Sequence, residues 1–312
     1  MKKVIVTGAN GFVGQYLTKE LVDRQYEVWA VVRKESEDLK CIKGVNVHII
    51  FCDLEDILTL KNKISAKNFE CFYHLAWAGS SGSARMNYEL QLENAKACCD
   101  ATVVASELKC KRFLGAGSIT ELMYGKYLRK DGSKPEMITC YAIAKMAAEY
   151  TSRCICTDKK IDFLWAHISN FYGVGDLSQN FINFLISNYS NKNTPILTSG
   201  EQKADFMYVS DVARALVVMS ENGIGGNTYY VGYGSPKPLK EFVKIIHNSI
   251  APEIESGVGL KDYRGMDVDF DSLDIGKLTR DTGFRPSISF EEGIKKVLTS
   301  LNKSKGWTCF ED

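Results

Sequence analysis

The sequence carries almost no net charge, since its 312 residues include 39 basic and 38 acidic side chains. A formal charge of +1 provides no broad electrostatic field, which argues against nucleic acid or an anionic membrane as the main partner. Extended apolar segments are also missing, because the apolar stretch in MKKVIV ends at the glycine-rich residues 8–11, too early for a signal or membrane-spanning segment. We therefore expect a cytoplasmic protein that binds neither nucleic acid nor membranes.

Histidine is scarce, and neither histidine nor cysteine is spaced for metal binding. The four histidines, at positions 48, 74, 167 and 247, are far apart in the sequence. Among the ten cysteines, the tight pairs are Cys98-Cys99 and Cys154-x-Cys156, which lack the two-residue gap and the second pair of zinc sites. We therefore expect no metal site.

The N-terminal segment VIVTGANGFVGQYL combines an apolar stretch with three regularly spaced glycines. Residues 4–6 predict a buried strand, and apolar residues at helical spacing after Phe12 predict a helix. In such a unit, Gly8 permits the tight turn, Gly11 the close approach of a ligand and Gly14 the packing of helix on strand. Free backbone N–H groups and the helix dipole favour a pyrophosphate there, although a tight turn without a ligand would show the same glycines.

Strand and helix patterns alternate through the first half of the chain. Further strands are predicted at residues 27–33, 46–53, 71–78, 112–118 and 162–170. This alternation predicts an α/β fold, with a doubly wound parallel sheet and helices on both faces. Ligands of such sheets bind beyond the carboxyl ends of the strands, so we expect the functional residues there.

Tyr141 and Lys145, in CYAIAKMAAEY, lie one turn apart on one face of a predicted helix. A lysine cation and an oxidised nicotinamide beside the phenol both favour the phenolate, and lowering the phenol pKa by about three units takes about 4 kcal/mol. Ser118, at the carboxyl end of a predicted strand, is placed to hydrogen-bond the same substrate oxygen. The alternative is that Tyr141 and Lys145 form a surface pair and that Ser118 belongs to a turn.

Together, these motifs resemble in order and spacing the extended short-chain dehydrogenase/reductases, and within them the nucleotide-sugar epimerase/dehydratase group. The matching motifs are Thr7-Gly8-x-x-Gly11-x-x-Gly14, HLAWAG at 74–79, Asn94, Ser118, Tyr141-x-x-x-Lys145 and SNFYG at 169–173. The resemblance runs from Lys2 to about Val297. It implies a Rossmann-type dinucleotide-binding domain at 1–170, to which 204–222 returns, and a smaller substrate-binding domain formed mostly by 171–312.

The resemblance also implies roles for the catalytic residues. Tyr141 would be the general acid or base, and Ser118 would orient the reacting oxygen. Lys145 would hold the nicotinamide ribose and lower the pKa of Tyr141. Asn94 would act less directly, by supporting a helix and a water near Lys145.

Binding residues along the cleft are implied in the same way. Asp53, which ends the strand HIIFCD, would contact the adenine, while Ser118, Asn170 and Arg264 would contact the nucleotide-sugar. A solvated loop position is an equal alternative for Arg264, in DYRGMD. The implied cofactor-binding residues are Gly8, Asn10, Gly11, Phe12, Val13, Gly14, Arg33, Asp53, Leu54, Leu75, Ala76, Trp77, Tyr141 and Lys145.

Departures from that group narrow the function. The sugar 4,6-dehydratases carry an acidic pair directly after the position of Ser118, where this chain has Ile119 and Thr120. We therefore do not expect a 4,6-dehydratase, although Glu121 follows one residue later and its reach is left open. His167 stands where an arginine is often found in the group.

The prediction is an enzyme that transfers hydride between a nicotinamide cofactor and a ring carbon, C4, of a nucleotide-sugar. A 4-keto-sugar reductase is favoured, and a 4-epimerase is the alternative. Two further alternatives are a reductase of a ketone or aldehyde without a nucleotide, and a cofactor-binding regulator without turnover.

The strand in VWAVVRKES ends at Arg33 and Lys34, with no carboxylate before Glu35. An acidic residue at this place accepts both ribose hydroxyls of NAD(H), whereas arginine pairs with the 2′-phosphate of NADP(H). We therefore favour NADP(H) over NAD(H), which in turn favours the reductase. A solvated Arg33 that covers the adenine would allow either cofactor.

The helix around Tyr141 is apolar nearly all round, at Ala142, Ile143, Ala144, Met146, Ala147 and Ala148. A helix of this kind is buried on more than one face, so we expect it to pack against its twin in a homodimer. The alternative is that this helix is buried entirely within one subunit and forms no dimer contact.

Overall fold

The computed structural model describes residues 1–34, 39–263 and 265–303, so the candidate substrate residue Arg264 lies outside the described residues. The strands are β1 (Lys3–Thr7), β2 (Glu27–Val32), β3 (Val47–Phe51), β4 (Cys71–His74), β5 (Arg112–Ser118), β6 (Asp162–Ile168), β7 (Asn170–Tyr172), β8 (Lys203–Ala204), β9 (Phe206–Tyr208), β10 (Thr228–Val231) and β11 (Lys237–Pro238). The helices are α1 (Phe12–Asp23), α2 (Leu60–Lys63), α3 (Tyr88–Glu107), α4 (Ile119–Leu128), α5 (Cys140–Lys159), α6 (Phe181–Ser190), α7 (Val209–Asn222), α8 (Leu239–Ile250), α9 (Lys277–Thr282) and α10 (Phe290–Lys303).

The large sheet is parallel and has the strand order β3-β2-β1-β4-β5-β6-β10. From β1 the chain adds β2 and β3 successively on one side of β1, and then crosses to β4 on the other side of β1. The strand order therefore reverses between β1 and β4, which opens a crevice at their carboxyl ends. This arrangement confirms the predicted doubly wound, Rossmann-type sheet.

Helices cover both faces of this sheet because successive strand residues point to opposite sides. Val4 and Val6 belong to a hydrophobic cluster with α1 and α7, which pack against each other. Ile5 belongs to a second cluster with α3 and α5, which also form a packed pair. The strands are thus buried on both faces, and the exposed edge of the sheet at its carboxyl ends is left for ligands.

A third hydrophobic cluster lies between α6, α8 and α10 and the short strands β7 and β9. It supports our proposal that 171–312 forms most of a smaller substrate-binding domain. The return to the large sheet extends further than the predicted 204–222, because β10 joins the sheet beside β6. Within the described ranges, every helix is too short or too polar to cross a membrane.

Candidate active site

The glycine turn after β1 leaves a cradle without side chains. Gly8 has a φ of +68°, and its N–H donates to Val31 O at 3.1 Å, which fixes the tight turn. A Cβ atom on Gly14 would lie 2.0 Å from Gly8 O, so only glycine allows α1 to pack this closely on β1. A Cβ on Gly11 would meet nothing nearer than Gly8 O at 3.1 Å.

Gly11 is the N-cap of α1, whose first turn contains no acidic residue. The backbone N–H groups at this helix N-terminus therefore point toward the open side of the turn, where an anion is favoured by the helix dipole. These features fit the pyrophosphate of a dinucleotide; Gly8 and Gly14 have the geometry expected from their positions in the motif, and the ligand contact of Gly11 stays a prediction.

A cleft of about 1390 Å³ extends from this turn across the carboxyl ends of the strands. It brings together the predicted catalytic and substrate residues Ser118, Tyr141, Asn94 and Asn170. The predicted cofactor residues that line it are Gly8, Asn10, Gly11, Phe12, Val13, Gly14, Arg33, Asp53, Leu54, Leu75, Ala76 and Trp77. Residues from both halves of the sequence therefore face one elongated space.

Tyr141 and Ser118 form the polar centre of this cleft. Tyr141 is 6% exposed, and burial raises the pKa of its phenol, while the Arg85 cation and a hydrogen bond with Ser118 lower it. The hydroxyl of Ser118 also accepts hydrogen bonds from Thr120 N at 3.2 Å and Thr120 Oγ1 at 3.0 Å. Thr120, which the sequence interpretation treated only as a missing acid, is thus a second hydroxyl at the site.

Lys145 is 5% exposed, and its ammonium group contacts a backbone carbonyl and an aromatic ring. Its Nζ donates to Ala116 O at 2.6 Å and lies 3.7 Å from the centroid of the Trp77 ring. Burial lowers the pKa of Lys145 to about 8. Its Nζ is 6.0 Å from the Tyr141 ring centroid, and the Arg85 cation lowers the pKa of Tyr141; that Lys145 also lowers this pKa stays a prediction.

Asn94 links α3 to the loop after β4, and its expected support of a water near Lys145 stays a prediction. Its Oδ1 accepts from Ala78 N, and its Nδ2 donates to Ala78 O and Leu90 O, all at 2.8 Å. Gln91, which sequence reasoning missed, accepts from Trp77 Nε1 at 2.8 Å. These two side chains of α3 hold the loop after β4 against the cleft.

At the far end of the cleft, two basic residues follow β2. Lys34 donates from its backbone N–H to Asp53 Oδ1 at 3.0 Å, which lowers the pKa of Asp53, and its Nζ lies 3.3 Å from Asp53 Oδ2 and 2.5 Å from Asp56 Oδ2. Arg33 is exposed and, within the described part of the chain, forms no ion pair. Glu35 lies outside the described residues.

A comparison with known families decides the classification. The sequence profile of the NAD dependent epimerase/dehydratase family matches residues 4–232. The chain belongs to this family. The match confirms the resemblance that was inferred from the glycine turn, Ser118 and the Tyr141–Lys145 pair.

Curated relatives in this family include reductases and dehydratases. The chain is 26% identical over 314 residues to CDP-abequose synthase of Salmonella typhimurium, covering 96% of this chain and 98% of the relative. It is also 26% identical over 311 residues to dTDP-4-dehydro-6-deoxyglucose reductase of Escherichia coli, covering 96% and 97%. A dTDP-glucose 4,6-dehydratase of Neisseria gonorrhoeae is 31% identical over 170 residues, but this match covers only 51% of the chain and 49% of the relative.

Solved structures show the same fold. UDP-N-acetylglucosamine 4-epimerase from Methanobrevibacter ruminantium M1, in complex with UDP-N-acetylmuramic acid, aligns with a TM-score of 0.78 at 22% identity, covering 97% of this chain and 98% of that one. The Bordetella bronchiseptica enzyme WbmF, in complex with NAD+, aligns with a TM-score of 0.80 at 19% identity, covering 97% and 93%.

The direction of the Glu121 carboxylate matters because this family contains dehydratases. Glu121 is 3% exposed and is not among the residues that line the cleft. Its Oε1 accepts from Ser118 N at 2.5 Å in a capping box, and its Oε2 accepts from Trp165 Nε1 at 3.2 Å. His167 Nε2 lies 3.6 Å from Glu121 Oε2 and 3.2 Å from Glu149 Oε2. Glu121 is therefore occupied in holding the start of α4.

The buried histidine predicts a pH-dependent stability. Burial alone would lower the pKa of His167, but hydrogen bonds and charges from Glu121 and Glu149 raise it to about 9. Because this value exceeds the unfolded pKa of about 6.5, the stabilisation is complete below pH ~6.5 and is lost as the pH rises through ~9, on the order of 3 kcal/mol. We expect urea unfolding to show this loss in the wild type and not in His167→Gln.

His48→Gln provides the control, since His48 is exposed and forms its ion pair with Glu27 at the surface. We expect this variant to follow the wild type. The same pH profile in His167→Gln and in the wild type would show that His167 is not protonated between the two carboxylates.

Proposed function

We propose that the protein is an NADPH-dependent reductase that converts a nucleotide-linked 4-keto sugar into the corresponding alcohol. The observation that carries this proposal is the buried Tyr141 phenol beside Ser118 in a cleft that begins at the glycine turn. Burial favours the protonated phenol, as a proton donor requires. Relatives named as a synthase and a reductase of deoxysugar nucleotides match over nearly their whole length, which supports the same choice.

Each residue of the centre has a role in this reaction. When a reduced nicotinamide is bound, it supplies the hydride for the ketone carbon. Ser118 and Tyr141 hold the ketone oxygen, and Tyr141 gives this oxygen its proton, so that the carbonyl becomes a secondary alcohol. The Tyr141 phenolate is then reprotonated from solvent. Lys145 would hold the nicotinamide ribose beside Tyr141, and Asn170 would contact the nucleotide-sugar; Arg264, implied by the resemblance alone, lies outside the described residues.

A 4-epimerase is the second candidate, because the same fold carries a UDP-N-acetylglucosamine 4-epimerase and the same groups serve oxidation followed by reduction. A 4,6-dehydratase is disfavoured. Its proton transfers need acidic side chains in the cleft, whereas Ile119 and Thr120 follow Ser118 and the Glu121 carboxylate is bonded in the core. The cytoplasmic location expected from the sequence stays a prediction.

NADP(H) is the proposed cofactor, and Arg33 is its proposed selector. The two basic residues after β2 differ in their surroundings: Lys34 is paired with Asp53 and Asp56, whereas Arg33 lines the cleft without an ion pair among the described residues. The Arg33 guanidinium is therefore available to the 2′-phosphate, which it matches with two parallel hydrogen bonds.

We predict a homodimer formed through α3 and α5. These helices pack side by side, and their outer faces expose Tyr88, Leu92, Ile143 and Tyr150, which are 54%, 54%, 40% and 53% exposed. Apolar patches of this kind mark interaction surfaces. We expect light scattering at micromolar concentration to give the dimer mass, and Leu92→Glu with Ile143→Glu to give a folded monomer. A monomer mass for the unmodified protein would contradict the prediction.

Net cofactor consumption separates the two candidate functions. The purified protein is incubated with NADPH and a dTDP- or CDP-linked 4-keto-6-deoxyhexose, and the NADPH absorbance is followed. A reductase consumes one NADPH for each sugar reduced. An epimerase inverts C4 of a nucleotide-linked hexose without net consumption. If the protein does neither with either nucleotide, the proposed function is wrong.

A further inference from the structure

Arg85 is a cation of the active site that sequence reasoning did not single out. It belongs to a 3-10 helix at Gly82–Met86, and its guanidinium carbon lies 4.5 Å from the centroid of the Tyr141 ring. The side chain is half-buried and lines the cleft. A charged hydrogen-bond donor is thus placed beside the phenol that we propose as the proton donor.

The loop that carries Arg85 is held in place by its own hydrogen bonds. Arg85 Nε donates to Ser80 O at 2.6 Å. The fully buried Gln91 donates from Nε2 to Gly79 O and Ala84 O, both at 3.0 Å, so the backbone is held just before the 3-10 turn and within it. The guanidinium is therefore oriented before a ligand binds, which lowers the entropy cost of a contact with it.

The charge of Arg85 is not neutralised by the protein around it. Within the described ranges, no carboxylate forms an ion pair with Arg85, whose guanidinium contacts Ser80 O and the Tyr141 ring. A guanidinium has five N–H donors, so the four on its terminal nitrogens remain for a ligand. Its charge also opposes the effect of burial on the pKa of Tyr141.

The chemical structure of the proposed substrate limits which of its oxygens can accept a hydrogen bond from the Arg85 guanidinium. In a 4-keto-6-deoxyhexose, C3 carries a hydroxyl, whereas C5 carries the ring oxygen and the methyl group. Tyr141 and Ser118 already serve the ketone oxygen itself. The C3 hydroxyl is therefore the one hydroxyl next to the reacting carbon, and it is a good acceptor for a charged donor.

We propose that Arg85 is a specificity-determining residue that donates a hydrogen bond to the C3 hydroxyl of the nucleotide-linked sugar. This inference rests on the proposed function, because it takes C4 as the reacting carbon. Arg85 thereby selects a 3-hydroxy sugar against its 3-deoxy analogue. A hydrogen bond to a charged group that the analogue cannot form corresponds to about 10- to 100-fold in affinity.

Calorimetric binding tests this contact without turnover. dTDP- and CDP-linked 6-deoxyhexoses, each with and without the C3 hydroxyl, are titrated into the wild type and Arg85→Gln with NADP+ present. We expect the wild type to bind the 3-hydroxy ligand about 10- to 100-fold more tightly, and Arg85→Gln to bind both ligands alike. Arg85→Lys should retain part of the preference, and Arg129→Gln, the same charge change on an exposed residue outside the cleft, should retain all of it.

Equal binding of the two ligands by the wild type, or an unchanged preference in Arg85→Gln, would overturn the inference. Thermal melting and NADP+ affinity show whether the variants are folded. A wild type that discriminates in binding but reduces neither ketone would contradict the proposed function and support the Arg85 contact. A wild type that reduces the ketone without discriminating would contradict the Arg85 contact alone.

Discussion

Tyr141→Phe is expected to lower kcat by about 10²- to 10⁴-fold, because it removes the proton that the account assigns to the ketone oxygen. The ring remains, so the packing of Tyr141 against Trp77, at 6.1 Å between ring centroids, is preserved. NADPH affinity should change little, since the glycine turn and the Arg33 end of the cleft are untouched. Stopped-flow reduction and a fluorescence titration with NADPH measure the two quantities.

Tyr150→Phe is the matched control for this variant. Tyr150 lies on the same helix, but it is 53% exposed and does not line the cleft. Its kcat should equal that of the wild type. A near wild-type rate in Tyr141→Phe would remove Tyr141 from the mechanism, and an equal loss in Tyr150→Phe would show that the effect comes from the helix.

Arg33→Asp is expected to shift the ratio of NADPH to NADH affinity by about 100-fold toward NADH, which corresponds to about 3 kcal/mol. The substitution removes the proposed partner of the 2′-phosphate and introduces a carboxylate, which repels the phosphate and accepts the ribose hydroxyls of NADH. Titration of the cofactor-free protein with both nucleotides, before and after the substitution, measures this ratio.

Lys130→Asp makes the same charge change on an exposed residue outside the cleft and should leave the ratio unchanged. Tighter binding of NAD than of NADP by the unmodified protein would contradict the cofactor assignment. So would an unchanged ratio in Arg33→Asp. Either result would favour the 4-epimerase, which regenerates its own NAD within each cycle.

The glycine turn and most of the large sheet were predictable because their signals are local. Each strand range predicted after β1 contains an observed strand, since short apolar segments between helical patterns identify buried parallel strands. The edge strand β10 was missed. Its sequence TYYV is four residues long, and its place beside β6 depends on a chain crossing that periodicity does not report.

The individual roles at the site were harder to predict because they depend on contacts between distant segments. The bond from Lys145 to Ala116 O joins α5 to β5, and Arg85 reaches Tyr141 on α5 from the 3-10 turn after β4; no sequence spacing encodes either contact. The direction of Glu121 did have a signal. Ser118-x-x-Glu121 is a capping-box pattern, which turns the glutamate back toward the Ser118 N–H.

Deuteride transfer from NADPH shows whether the enzyme reduces C4 of the sugar. NADPH that carries deuterium at the transferring position of its nicotinamide is incubated with the protein and a dTDP- or CDP-linked 4-keto-6-deoxyhexose, and the product is examined by NMR. We expect one deuterium at C4 of the nucleotide-linked sugar, with formation of this product strongly reduced in Tyr141→Phe. Deuterium at another carbon, or its absence from the sugar while NADPH is consumed, would contradict the account.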